Sequence, residues 1–174
     1  SAMIEEILRS STEEYDSSSL RLEECALGEI VGECQASLSL KYNTREVAWN
    51  IAIDRELTVV ADRFHLAGIV SALVDNAIKY SPERAEVDIK AEVEGDDVII
   101  TIADRGLGIA RSEQRRIFDK FYRVSTGNRH DTKGYGLGLY YVKSIVESHG
   151  GSIDLTSSLG SGSLFRIKLP RYGK

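Results

Sequence analysis

The stretch VSALVDNAIKYSP, Val70 to Pro82, decides how this chain folds. Leu66, Ile69, Val70, Leu73, Val74, Ala77 and Ile78 fall on one broad face at about 100° per residue, which predicts an amphipathic helix over residues 63–80. Asn76 and Lys79, with Ala72, share an arc of roughly 60° beside that face, and Tyr80 sits at its border. The helix should therefore pack its apolar side on a sheet and present an amide, an ammonium and a phenol to a neighbouring cleft. An Asn carbonyl is a hard oxygen ligand suited to Mg²⁺, which keeps several waters and shares phosphate oxygens. A Lys one turn on can neutralise a phosphate as a point charge. Taken alone, the same pattern also describes a helix with a polar edge.

The flanking segments supply the sheet. Val87, Ile89, Ala91 and Val93 alternate with Asp88, Lys90, Glu92 and Glu94, the pattern of a half-buried strand. Glu94-Gly95-Asp96-Asp97 signals a hairpin turn, and Val98 to Ala103 reads as a central, well-covered strand. Upstream, Leu22 to Leu27 suggests a short strand, and Leu27, Ile30, Val31, Cys34 and Leu38 mark one face of a helix. Val47, Trp49, Ile51 and Ile53 alternate with Ala48, Asn50 and Ala52, and a second short strand covers Leu57 to Ala61. A helix from Leu137 to His149 and strands around Ile153-Leu155 and Phe165-Ile167-Leu169 complete the order. This order predicts a two-layer α/β sandwich, a mixed sheet of about five strands covered on one face by three helices.

Two glycine-rich segments follow the helix. In ADRGLGI, Asp104 ends the apolar strand, and Gly106 and Gly108 allow a tight turn and close approach to a flat ligand. A carboxylate there can accept from an exocyclic amine such as adenine N6. A plain Asp-Gly turn has the same letters. In KGYGLGLYYVK, Gly134, Gly136 and Gly138 open a helix whose first amides can bind phosphate. The spacing is GxGxG after a polar loop, so it is not a dinucleotide fingerprint, although Asp154 lies at a suitable distance downstream. No Walker A pattern, nucleophile elbow, HExxH or catalytic triad is present.

Composition narrows the class further. The 174 residues, 42% hydrophobic, suffice for one domain with a real core. No apolar run approaches the ~18 residues needed to span a bilayer. Cys25 and Cys34 form no metal pattern and read as buried thiols in a reducing compartment. The net charge of −5 argues against nucleic acid. Yet between Arg105 and Lys133 eight basic residues face only Glu113, Asp119 and Asp131, leaving that stretch at +5 and the remainder at −10. A local basic segment suits a small polyanion such as a triphosphate, an acidic partner, or simple solvation. The segment from Arg105 to Tyr135 has no strong periodicity beyond a short helical patch around Ile117 to Tyr122, as expected of a lid or a disordered loop.

Taken together, these segments resemble the ATP-binding catalytic domain of bacterial sensor histidine kinases, in the GHKL group of ATPases and kinases. The resemblance covers Leu20 to Pro170 and rests on five boxes in order: VDNAIKYS, DRGLGI, IFDKFYRV, GYGLGL and GSGSLFRIKLP. It implies a GHKL-type fold with an ATP lid and ATP and Mg²⁺ as ligands, with Asn76 as metal ligand, Lys79 as phosphate contact and Tyr80 flanking the nucleotide. It implies that Asp104 meets the adenine amine in a turn made by Gly106, Gly108 and Ile109. Phe118 and Phe121 would anchor the lid, and Arg123 and Lys133 would approach phosphate. Gly134, Gly136, Leu137, Gly138 and Leu139 would form the second glycine box. Gly160 and Gly162 fit the closing strand.

Two departures qualify the resemblance. Many histidine kinases carry a second Asn one turn before the first, and the hydrolysing relatives carry a Glu there that activates water. This chain has Ala72, which cannot act as a general base, so transfer is expected over hydrolysis. The acceptor is also missing. His65, His130 and His149 lack the acceptor's His-Glu/Asp with a following Pro, and read as helix surface, lid, and a favourable cation at a helix C-terminus. The phosphorylated His should therefore lie on an upstream dimerisation domain, with no confident catalytic residue on this chain. Residues 1–3 read as a remnant of an expression tag, 4–19 as the end of an upstream helix and linker, and 20–174 as the catalytic domain. The chain alone should bind ATP or ADP weakly and show almost no autophosphorylation. The resemblance further implies a response regulator as partner, a dimeric parent, and a cytoplasmic domain in a parent anchored in the inner membrane. An anti-sigma-type serine kinase, a GHKL ATPase and a non-catalytic regulator stay open as alternatives.

Overall fold

The computed structural model describes residues 19–120, 122 and 138–173. Among them, strand β1 (Leu22–Ala26) leads into helix α1 (Leu27–Lys41), then β2 (Glu46–Ala52) and β3 (Thr58–Asp62). Helix α2 (Arg63–Lys79) is followed by β4 (Arg84–Glu94) and β5 (Asp97–Asp104). Helix α3 (Gly138–Ser148), β6 (Ser152–Ser157) and β7 (Ser163–Pro170) close the domain. Five strands form the main sheet in the order β2-β4-β5-β7-β6, and β1 pairs with β3 in a separate two-stranded sheet. Only the β2–β4 pair is parallel, so the sheet is mixed, as the alternating patterns predict.

The register lines up the apolar residues in rows. One row crosses all five strands through Ile51, Ile89, Ile102, Phe165 and Leu155. A second runs through Ala91, Ile100, Ile167 and Ile153. Alternation thus delivers every second side chain to one face, where the helices cover it. Leu66, Ile69, Val70, Leu73 and Ile78 of α2 meet that face fully buried, and burial on this scale contributes on the order of 2 kcal/mol per large side chain. The opposite face is coated with ion pairs, Arg166–Glu94 at 3.3 Å, Lys168–Asp97 at 3.4 Å and Arg84–Glu46 at 3.4 Å. Cys25 and Cys34 are free, buried thiols, as expected.

Helix α2 is fixed at both ends. Asp62 caps its start by accepting the His65 amide at 3.2 Å. At its end Arg45, from the α1–β2 loop, donates to the carbonyls of Ile78 (2.6 Å), Ser81 (3.1 Å) and Pro82. A guanidinium at a helix C-terminus satisfies orphan carbonyls and opposes the negative end of the helix dipole. The polar half of α2 is thereby held in place by residues far away in sequence.

Candidate nucleotide site

The end of α2 and the first glycine segment meet through the backbone. Leu107 N–H donates to the Tyr80 carbonyl at 3.2 Å. A Cβ on Gly106 would stand 2.7 Å from that same oxygen, so only glycine lets the two segments touch. Asn76, one turn before Tyr80, and Lys79, immediately before it, are half-buried on the adjoining edge. The arc predicted for them continues toward the helix start through Ala72 and His65, but there it is covered. Tyr141 of α3 crosses it, with its hydroxyl 3.0 Å from His65 Nδ1 and room made by Gly68. Ala72 is buried as well, and His65 lies inside the molecule instead of on the helix surface.

Asp104 is set by the two glycine turns around it. Its Oδ1 accepts the Gly106 amide at 2.8 Å. Burial pushes its carboxyl above the ordinary carboxylate range, against the pull of the Gly106 and Ser163 amides. Gly162, at φ +81°, has space only for a hydrogen: a Cβ would fall 2.0 Å from the Asp104 carbonyl. Gly108, at φ +71°, would likewise strike the Ser158 carbonyl at 1.9 Å. The β6–β7 hairpin therefore lies directly on the ADRGLGI turn. Ser157 ties them further, its hydroxyl accepting the Ile109 amide at 2.8 Å and donating to the Gly162 carbonyl at 2.8 Å. Gln114 donates to the carbonyls of Ile109 (2.8 Å) and Ser157 (2.9 Å).

The segment after this turn departs from expectation in form. Between Ala110 and Asp119 the amide of every third residue reaches back three positions, Glu113 to Ala110, Arg116 to Glu113 and Asp119 to Arg116, each at 2.9 Å. Residues 111–118 are thus a run of turns, and Ile117 and Phe118 lie in it where the start of a short helical patch is expected. Ile117 is buried beneath it, and Phe118 packs edge-on against Phe165 of β7 with ring centroids 6.3 Å apart. Arg105, counted with the basic stretch, pairs instead with Glu86 and Asp88 on the outer face of the sheet. Gly138 begins α3 and Leu139 packs against the core. Phe121, Arg123, Lys133, Gly134, Gly136, Leu137 and His130 lie outside the described residues.

His149 corrects a further expectation. It is buried, its Nε2 accepts the Asp62 amide at 3.0 Å, and its Nδ1 lies 2.7 Å from the Ile145 carbonyl. An acceptor at Nε2 and a donor at Nδ1 assign the neutral tautomer, so His149 ties α3 to β3 and is no cation at the helix end. Several residues that shape the site carry no sequence motif: Arg45, Ser157, Gln114 and the pair Lys41–Tyr42. Asp75 did leave a signal, its i,i+4 spacing to Lys79. It accepts Lys41 Nζ at 2.8 Å and the Tyr42 hydroxyl at 2.7 Å. Burial, then the Asp75 hydrogen bond and charge, raise the Tyr42 phenol well above its ordinary range.

Comparison with known proteins agrees with this geometry. The sensor protein RprX of Bacteroides fragilis is 36% identical over 172 residues, which is 96% of this chain and 33% of that protein. The sensor-like histidine kinase SenX3 of Mycolicibacterium smegmatis is 41% identical over 114 residues, 66% of this chain and 30% of that protein. The chain thus spans about a third of the length of these relatives. Among solved structures, the nucleotide-free catalytic domain of histidine kinase ThkA superposes with a TM-score of 0.77 at 25% identity, covering 88% of this chain and 99% of that one. Full-length ShkA in complex with AMPPNP gives a TM-score of 0.81 at 23% identity over 99% of this chain and 35% of that one, a likeness of fold. The family described as histidine kinase-, DNA gyrase B- and HSP90-like ATPase matches residues 61–173. The strands, helices and glycine turns described above are therefore those of a GHKL ATP-binding domain, and the chain belongs to the histidine kinase-, DNA gyrase B- and HSP90-like ATPase family.

Proposed function

We propose that this domain presents Mg·ATP for γ-phosphoryl transfer to a histidine on an upstream dimerisation domain, as the kinase half of a two-component sensor. The observation that carries the choice of transfer over hydrolysis is Ala72, 6% exposed, one turn before Asn76. No carboxylate stands there to take a proton from water. Two of the three histidines, His65 and His149, are buried and hydrogen-bonded, which supports an acceptor on another domain. The kinship to named sensor proteins supports a response regulator as the next phosphate acceptor, a dimeric parent and a parent anchored in the inner membrane. Among the described residues no helix is long and apolar enough to cross a membrane.

The chain's own groups have separable roles in this reading. Asp104 accepts from the adenine amine, and Gly106 and Gly108 bring backbone within reach of the flat base. Lys79 neutralises phosphate charge at the other end of the cleft, and the first amides of α3 face the phosphates as fixed dipoles. Asn76 fits a hard cation that completes its shell with water and phosphate oxygens. Among the described residues, no group of three or more His, Cys, Asp or Glu gathers as a metal site of its own. Bound magnesium supplies charge neutralisation on the transferred group. Positioning then provides most of the rate.

Nucleotide titration with and without Mg²⁺, on the wild type and Asn76→Ala, tests the site. The expected result is a Mg²⁺ dependence lost in Asn76→Ala, and an unchanged dependence removes the metal assignment. Offering the ATP-loaded domain a histidine-bearing helical hairpin or a serine-bearing partner separates the two kinase readings. An acid-labile phosphoramidate on the hairpin is expected, and phosphoserine would favour an anti-sigma-type kinase.

A further inference from the structure

The half of α2 that carries Asn76 and Lys79 holds one more charged side chain that the proposed chemistry leaves unused. Asp75 is 15% exposed, and its two oxygens have different company. Oδ1 takes two short bonds from the end of α1, Lys41 Nζ at 2.8 Å and Tyr42 Oη at 2.7 Å. Oδ2 faces Lys79 Nζ, one turn on, at 3.7 Å, with the Lys79 side chain 22% exposed. The first contact fixes the carboxylate. The second is a charge contact too long for a strong hydrogen bond, strengthened by partial drying yet readily broken. A carboxylate fixed through one oxygen and facing an ammonium with the other is a resting place for that cation.

We propose that Asp75 is a positioning residue that parks Lys79 when no phosphate is bound and yields it to the incoming phosphate, so that nucleotide and carboxylate compete for one ammonium. This rests on the reading of Lys79 as the phosphate contact. Asp75→Asn keeps the shape and an acceptor for Tyr42 but removes the competitor, so ATP binds more tightly. Tyr42→Phe acts in the opposite direction. It withdraws a donor from Oδ1, leaves more charge on the carboxylate to hold Lys79, and weakens ATP binding. A carboxylate that only braced α1 against α2 would weaken binding in both variants.

Calorimetric titration of ATP into the wild type, Asp75→Asn, Tyr42→Phe, Lys79→Ala and the two double variants with Lys79→Ala decides the matter. Asp75→Asn is expected to tighten ATP about fivefold and Tyr42→Phe to weaken it about twofold, with both effects absent when Lys79 is Ala. Tightening by Asp75→Asn that persists without Lys79 is mere repulsion of phosphate and overturns the parking role, as does any loss of affinity in Asp75→Asn. In those cases a weakened Lys79→Ala leaves the phosphate assignment standing. An unchanged Lys79→Ala overturns both. Should Asp75→Asn fail to fold, Tyr42→Phe alone still decides, by whether its loss of affinity depends on Lys79.

Discussion

The proposed nucleotide site has two ends, one assigned to adenine and one to phosphate, and they are built by different physics. At the adenine end, Asp104 is gripped by backbone: Gly162 and Gly108 bring carbonyls within 2.0 Å and 1.9 Å of where a Cβ would stand, and Ser157 bonds both strands of the joint. At the phosphate end, Asn76 and Lys79 ride on a helix held by charges, Arg45 on its last carbonyls and Asp75 on its polar edge. Close-packed backbone has no low-energy alternative, whereas ion pairs at partly exposed positions exchange partners at smaller cost. The adenine end is therefore a rigid socket that resists change of shape, and the phosphate end is a set of charges that resists change of balance.

The sharpest way to break this contrast is a methyl group at the socket. Gly162→Ala places a Cβ into the Asp104 carbonyl at a backbone angle that L-residues avoid. A loss of at least about 3 kcal/mol is expected, read as a lowered urea midpoint, with ATP binding lost alongside. Gly138→Ala is the matched control, because among the described residues nothing lies within 4 Å of its added Cβ. Equal stability of Gly162→Ala and Gly138→Ala would show that the socket is soft after all.

A smaller effect isolates chemistry from shape. Asp104→Asn keeps the volume of the side chain, replaces a charged acceptor, and is expected to weaken ATP about tenfold to a hundredfold without lowering stability. The pH dependence gives the same group a second signature. Burial raises the folded-state pKa of Asp104, so the folded state binds its proton at a higher pH than the unfolded chain does. Its contribution to stability is therefore favourable at low pH and is lost as pH rises through the raised value. In the proposed reading nucleotide binding runs the other way, because it uses the carboxylate as acceptor. Affinity should fall on acidification at a pH above the ordinary carboxylate range, and Asp104→Asn should flatten that part of the curve relative to wild type. Parallel curves would remove Asp104 from the adenine contact.

The sequence carried the socket less well than the balance of elements around it. Helix α2 and the strands were legible because their apolar residues recur at 3.6 and 2.0 residue periods, and those periods are set by the backbone. Pairing was not legible. Periodicity does not say that β1 leaves the main sheet to join β3, a contact between Leu22 and Asp62. A helical wheel knows nothing of a second helix, so it leaves His65 and Ala72 on an open edge, whereas both are buried and Tyr141 of α3 lies against that edge at His65. Asn76 and Lys79, further along the same edge, are only half-buried. Ser157 and Arg45 act through hydrogen bonds to backbone groups across 48 and 33 residues of sequence, which leave no local pattern to read.

The smallest expected effect tests where the contrast stops. Arg105 follows Asp104 directly and belongs by sequence to the basic stretch suited to a polyphosphate. In space its guanidinium turns to Glu86 and Asp88 on the outer face of the sheet, and its side chain is 67% exposed. An exposed pair of this kind is screened by solvent and salt, so Arg105→Ala should change stability by less than about 0.5 kcal/mol. ATP affinity should stay within about twofold of wild type, because a screened charge on the far side of the sheet adds little at the cleft. A salt-dependent loss of ATP affinity in Arg105→Ala would instead mean that Arg105 leaves Glu86 and Asp88 when nucleotide arrives. The charge exchange assigned to Lys79 at the phosphate end would then extend to the edge of the socket, and the division between a rigid and an adjustable end would have to be redrawn at Asp104.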